Sequence, residues 1–261
     1  MQATLLKTNT NKLMLPKKRI ISIDISNGTY EQFVSAIMTY AKNKQSSYVC
    51  VANVHMCIEA TESAEFRQIV NNADLVTPDG MPLAQSFKWL YRTHQERVDG
   101  MSLLPRLLAE AESQKLTVYF YGGTQATLNA TSEYLKMRYP NLKVAGMYSP
   151  PFRPLMAEEK EAITEMIAAS GSHLVFVVLG CPKQERWMAE MKGAIPSVML
   201  GIGGALPVLV GQQKRAPEWM QKNSLEWLYR LAQEPTRLFK RYLVTNSKFI
   251  YLIIKEKLRK Q

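Results

Sequence analysis

A chain of 261 residues, 46% hydrophobic and 21% charged, carries enough apolar material for one large domain or a domain with an appendage, which argues against disorder. Its three cysteines, Cys50, Cys57 and Cys181, are odd in number and form no CxxC pair. A disulfide framework and a structural zinc site are therefore disfavoured, and a reducing compartment is the expected home. The net charge of +11 is uneven, because Gln212–Gln261 holds 12 Lys/Arg against 4 Glu. Met1 to Ile20 lacks the apolar run of a secretory signal. The apolar run Phe249–Ile254 is far below the ~20 residues that span a bilayer. The expectation is a cytoplasmic protein, either soluble or peripheral on the inner face of the membrane.

Lys18–Asp24 reads as a first strand and Tyr30–Lys42 as a helix, with Phe33, Ile37 and Tyr40 at helical spacing. A second strand, Ser47–Ala52, ends at Asn53. One helix over His55–Asn71 leads to a short strand, Asp74–Thr77, which stops at Pro78-Asp79-Gly80. Helices over Pro82–Tyr91 and Ser102–Ser113 follow, separated by Glu96-Arg97-Val98-Asp99-Gly100. Leu116–Tyr121 is a buried-type strand, Gly122-Gly123 a turn, and Thr124 the cap of a helix to Tyr139. The pattern repeats as strand Leu142–Met147, helix Ala157–Ala169 and strand His173–Leu179. Gly180-Cys181-Pro182 then opens a helix to Lys192, with Pro182 in its first turn. Strand Ser197–Gly201 runs into Gly203-Gly204. This alternation predicts an α/β fold: a mainly parallel, Rossmann-like sheet with helices on both faces.

After Gly211 the alternation stops. Glu218–Gln233, Pro235–Tyr242 and Ser247–Arg259 read as helices with no strand between them. Residues 1–211 are thus expected to form the α/β catalytic unit and 212–261 a basic helical appendage. The appendage admits three readings: a helix pair lying on an anionic membrane surface, a solvated face, or a nucleic-acid site. No recognised nucleic-acid motif accompanies the charge.

Ligands of open parallel sheets sit at the carboxyl ends of the strands. Five turns place glycine or polar residues there: Asn53, Pro78-Asp79-Gly80, Gly122-Gly123-Thr124, Gly180 to Gln184 and Gly201 to Gly204. Glycines let backbone N–H groups approach a phosphate, although each turn alone is explained as well by a tight strand-to-helix connection. No Walker A loop or full GxGxxG fingerprint is present. The four aspartates, Asp24, Asp74, Asp79 and Asp99, include no DxD pair. Compensation of a leaving diphosphate would therefore fall to Arg and Lys in place of a metal. Asp79 suits a general base at the crevice or an Asx-type turn. Arg97 suits a diphosphate clamp or a partner for Asp99. Gln184 suits a sugar or phosphate contact or a helix cap. The histidines show no metal-ligand spacing.

These residues resemble the WecG/TagA/CpsF group, glycosyltransferase family 26. The marks are Val51-Ala-Asn-Val-His-Met56, Asn72-Ala-Asp-Leu-Val-Thr-Pro-Asp-Gly80, Arg97-Val-Asp-Gly100, Tyr121-Gly-Gly-Thr124 and Leu179-Gly-Cys-Pro-Lys-Gln-Glu185. Gly201-Ile-Gly-Gly-Ala205, Lys214-Arg-Ala-Pro217, Glu226-Trp-Leu-Tyr-Arg230 and Arg237-Leu-Phe-Lys-Arg-Tyr242 continue the series. The resemblance implies inverting transfer from a UDP-sugar to a sugar on an undecaprenyl-diphosphate lipid, in cell-surface polysaccharide assembly and without a metal or other cofactor. It implies Asp79 as general base, Arg97 on the diphosphate and Gln184 in the pocket. It further implies that Arg230, Arg237 and Arg241 close over the site, and that the appendage brings the enzyme to the membrane. With Asn53, Gly122, Gly123, Gly203 and Gly204 at the strand ends, these form the expected site.

Two positions depart from the group's pattern. Val51 stands where several relatives have Thr, and Pro207 where many have Asp. Val51 implies a changed donor or acceptor contact and Pro207 a different sugar specificity or weakened activity, and Pro207 supports the alternative of an inactive nucleotide-sugar-binding scaffold. The sugar is expected to be of the N-acetylmannosamine type or glucose. A homo-oligomer is among the open alternatives.

Overall fold

The computed structural model describes residues 15–222 and 225–259. Six strands, β3 (Ser47–Ala52), β4 (Leu75–Pro78), β5 (Thr117–Gly122), β6 (Lys143–Tyr148), β7 (Leu174–Val178) and β8 (Val198–Gly201), form one sheet in the order β4-β3-β8-β7-β5-β6. Every pairing is parallel. Strands buried on both faces read as continuous apolar runs, and β3 and β8 are buried at every position. Side chains alternate between two cores as the pleat requires. Tyr119, Tyr121, Val175 and Val177 enter one, and Val118, Phe120, Leu174 and Phe176 the other. This is the α/β arrangement that the sequence predicts.

One core is covered by α1 (Tyr30–Lys42), α5 (Gly100–Ser113), α6 (Gln125–Arg138) and α9 (Ala205–Leu209). The other lies under α2 (Val54–Glu62), α3 (Ala64–Asn71), α4 (Met81–Tyr91), α7 (Ala157–Ala169) and α8 (Lys183–Met191). Local signals act as expected at several ends. Thr124 caps α6 by accepting from the Thr127 N–H, and Thr29 closes a capping box with Gln32 on α1.

Four expectations are corrected. The first strand is a hairpin, β1 (Lys17–Ile20) and β2 (Ile23–Ser26), paired antiparallel and separate from the main sheet. Its turn holds Ile21 at φ 58°, a costly conformation for a β-branched residue. The single helix over 55–71 is two, because the Ser63 hydroxyl accepts from the Phe66 N–H and starts α3 afresh. Pro182 stands at the cap of α8, not inside it, after a cis Cys181–Pro182 bond. After α9 come α10 (Glu218–Lys222), α11 (Glu226–Gln233) and α12 (Pro235–Arg259). The two last helices read from the sequence are therefore one of 25 residues, since Leu243–Asn246 contains no breaker.

Helix α12 buries a stripe of Leu238, Thr245, Phe249, Ile253 and Glu256, at the spacing of one helical face. It packs mainly on α2, and also on α4 and α11. At its far end the Glu256 carboxylate accepts the N–H of Ile21 at 2.7 Å. The strained turn of the first hairpin is thereby tied to the last helix.

Candidate active site

The carboxyl ends of β3, β4, β7 and β8 open into a cavity of about 1050 Å³. It lies where the chain leaves β3 toward β4 on one side and β8 toward α9 on the other, the kind of switch point where parallel sheets bind ligands. Helices α2, α4, α11 and α12 wall the remaining sides.

Asp79 follows β4 directly, and its N–H bonds to the Ala52 carbonyl at 2.8 Å, fixing the turn against the end of β3. Its side chain does not cap the helix that follows, where Gly80 is the cap residue and supplies no side-chain bond. Instead the carboxylate accepts the N–H of Gly100 at 3.2 Å and lines the cavity. Its pKa is pushed up to about 7, first by desolvation and next by the nearby Asp99 carboxylate. Arg97 and the Gly100 N–H pull the other way. A carboxylate tuned to neutrality at a cavity wall suits proton transfer.

Asp99 itself is structural. It caps α5 by accepting from the Ser102 N–H at 3.0 Å and is approached by Arg215 at 3.3 Å. Arg97 does not pair with Asp99 as one sequence reading allowed. Its Nε donates to the Asp79 carbonyl at 2.6 Å, and its Nη2 donates to the Glu226 carboxylate at 2.7 Å. One guanidinium thus joins the β4 turn to α11.

Asn53 caps α2, accepting from the Met56 N–H at 3.1 Å, and lines the cavity beside Asp79. Gln184 also lines it and is oriented at both ends: its oxygen accepts the Gly180 N–H at 3.1 Å, and its nitrogen donates to Glu185 at 2.8 Å. Glu185 is fully buried, and desolvation pushes its carboxyl up to about 7.

Gly203 and Gly204 lie on the cavity wall. A Cβ at Gly204 would stand 3.2 Å from the Arg230 guanidinium, so this turn admits the arginine because it has no side chain. The site residues expected from the sequence fall into three groups. Asp79, Arg97, Asn53, Gln184, Gly203, Gly204 and Arg230 share one cavity. Gly122 and Gly123 are not among the residues that line it. A Cβ at Gly122 would meet the Val178 carbonyl at 2.6 Å, so that glycine serves the close approach of β5 to β7. Arg237 and Arg241 belong to α12 by backbone, and their side chains lie outside the described residues.

Val51 and Pro207, the two departures, both line the cavity. So do Glu226, Trp227, Tyr242 and Phe249, none of which the sequence reading assigned to the site. Amphipathic spacing identifies such helix positions as buried, but it does not reveal what they are buried against.

Comparison with known proteins agrees with this geometry. The family model "Glycosyl transferase WecG/TagA/CpsF family" matches residues 18–261. An N-acetylglucosaminyldiphosphoundecaprenol N-acetyl-beta-D-mannosaminyltransferase of Bacillus spizizenii is 30% identical over 240 residues, covering 91% of each chain. A protein of the same description from Bacillus subtilis is 28% identical over 223 residues, covering 85% of this chain and 84% of its own. With that match spanning every element around the cavity, the chain belongs to the WecG/TagA/CpsF family of glycosyltransferases.

Proposed function

We propose that this glycosyltransferase moves N-acetylmannosamine, or a closely related sugar, from a UDP donor onto N-acetylglucosaminyl-diphosphoundecaprenol, with inversion and without a metal. The observation that carries the reading is that the Asp79 carboxyl, raised to about 7, lines one cavity with Arg97, the Gly203-Gly204 turn and Arg230. The two Bacillus relatives, whose names specify the acceptor and the transferred sugar, support the substrate class.

In this mechanism Asp79 takes the proton of an acceptor hydroxyl as its oxygen attacks the anomeric carbon. The bond from that carbon to the UDP oxygen breaks on the opposite face, which inverts the centre. Arg230, and by the same proposal Arg237 and Arg241, neutralise the departing diphosphate. Arg97 orients the diphosphate and holds the β4 turn. Residues 212–261 act as a unit that closes over the donor.

The outer face of α12 suits the surface where such an acceptor resides. Phe239, Leu243, Ile254 and Leu258 are exposed there, beside the exposed Lys240, Lys255 and Lys257. A helix with apolar and lysine residues on its outward face lies on an anionic bilayer. Among the described residues no helix is long and apolar enough to cross one.

The test is to incubate the protein with UDP-N-acetylmannosamine and N-acetylglucosaminyl-diphosphoundecaprenol in the presence of a chelator. UDP release and the anomeric configuration of the product are then measured. Release of UDP with a β-linked disaccharide is expected from an α-linked donor. Absence of turnover over a panel of UDP-sugars, with donor binding retained, would instead favour the scaffold reading that Pro207 suggests.

A further inference from the structure

The residues that line the cavity and also stand in solvent fall at two separate places. Gly204 and Trp227 form one rim. Pro82, Gln85 and Trp89 on α4, with Ile250 on α12, form the other. Trp89 is 56% exposed and Ile250 57%, a poor position for large apolar groups unless something covers them.

The two ends differ in chemistry. The charged lining residues are Asp79 after β4, Arg97 in the loop between α4 and α5, and Glu226 and Arg230 on α11. On α2 and α12 the lining is mixed: Met56, Phe249 and Ile253 are apolar, and His55, Thr245 and Asn246 are polar. Along α12 the lining runs from Tyr242 to Ile253, roughly 16 Å of helix at 1.5 Å per residue. That length exceeds what a sugar and its diphosphate need at the polar end. The second rim also continues into the outward apolar residues of α12, Leu243 and Ile254.

We propose that the cleft between α4 and α12, with Trp89 and Ile250 at its mouth, is the groove for the first isoprene units of the acceptor's polyprenyl chain. The inference rests on the acceptor class proposed above and adds the path by which the lipid reaches Asp79. The diphosphate end lies toward the charges, the first isoprene units pack on Met56, Phe249 and Ile253, and the chain leaves past Trp89 and Ile250 into the bilayer. Donor and acceptor then enter by different openings, the donor by the Gly204 and Trp227 rim.

Two measurements on the full chain test the groove. The first compares N-acetylglucosaminyl-diphosphate acceptors carrying a farnesyl-length chain and a methyl cap, both in detergent-free buffer. The wild type is expected to prefer the prenyl acceptor, and Trp89→Gln with Ile250→Gln to reduce that preference in KM about 10-fold. An unchanged preference would overturn the groove. The second needs no turnover: farnesyl diphosphate bearing a diazirine on its terminal isoprene is photolysed with the protein, and the adduct is mapped by mass spectrometry. Adducts on the α4 and α12 peptides support the groove even if transfer fails, in which case the acceptor assignment falls alone. Adducts confined to other surfaces overturn the groove whatever the activity.

Discussion

The Arg97 guanidinium and the Glu226 carboxylate meet at 2.7 Å across 129 positions of sequence, and both are largely buried. Arg97 is also bonded to the Asp79 carbonyl, so the pair links the proposed base to α11. Breaking such a pair leaves an uncompensated charge. The carboxylate also competes with any diphosphate for the same guanidinium. Glu226→Gln, which keeps a hydrogen-bond acceptor, is expected to tighten UDP binding several-fold by calorimetry. Arg97→Met is expected to weaken it at least 10-fold. Equal affinities in all three proteins would show that Arg97 does not face the donor.

Asp79→Asn removes the base while keeping an oxygen to accept the Gly100 N–H. Transfer is expected to fall by about 10²–10⁴, the usual range for a general base. In the wild type only the ionised carboxylate accepts a proton. The rate should therefore rise tenfold per pH unit below about 7 and level off above it. A flat profile from pH 5 to 8 would remove Asp79 from the proton transfer.

The same carboxyl makes stability depend on pH. Unfolded, it ionises near 3.8; folded, near 7. Between those values the folded state holds a proton that the unfolded state has lost, so stability falls as pH rises through the window. Asp79 is only partly buried, so solvent screens part of the penalty, leaving about 1–2 kcal/mol, or roughly 3–6 °C of Tm. Asp79→Asn lacks this term. Its Tm advantage over the wild type should be near zero at pH 4 and grow to that size at pH 8, as differential scanning calorimetry would show. An advantage independent of pH would contradict the assignment.

Phe249 is buried under α12 and also forms cavity wall. Phe249→Ala is expected to cost about 3 kcal/mol, lowering Tm by roughly 6–12 °C and loosening the roof enough to raise KM for the acceptor. Tyr251, two residues on and 64% exposed, should tolerate Ala within about 0.5 kcal/mol. Equal losses at the two positions would mean that α12 is not docked by this face.

The sheet was legible because its strands are short apolar runs closed by glycine, proline and asparagine, and Tyr30–Lys42 and Ser47–Ala52 were placed to the residue. Failures came where a local cue competed with a longer pattern. Lys18–Asp24 carries strand residues throughout, and only the three-dimensional fold forces Ile21 to turn. Ser63 interrupts an otherwise helical period by capping its own successor. Asp79 is visible as the carboxylate of the turn after β4 and Arg97 as a charge two residues before Asp99, but the bond that joins Arg97 to the Asp79 carbonyl is not. At Gly122 the sequence does not distinguish a glycine that admits a phosphate from one that admits a neighbouring carbonyl. Glu226 was invisible because its partner lies far away in sequence and nothing near Glu226 announces it.

The bond from Ile21 to Glu256 has a consequence for how this protein comes into being on the ribosome. Every strand of the sheet, and the carboxylate of Asp79, is synthesised well before α12 begins at Pro235. A nascent chain that has not yet made α12 lacks that wall of the cleft and leaves the first hairpin without its anchor. The cleft is thus complete only once α12 has docked on α2 and α4.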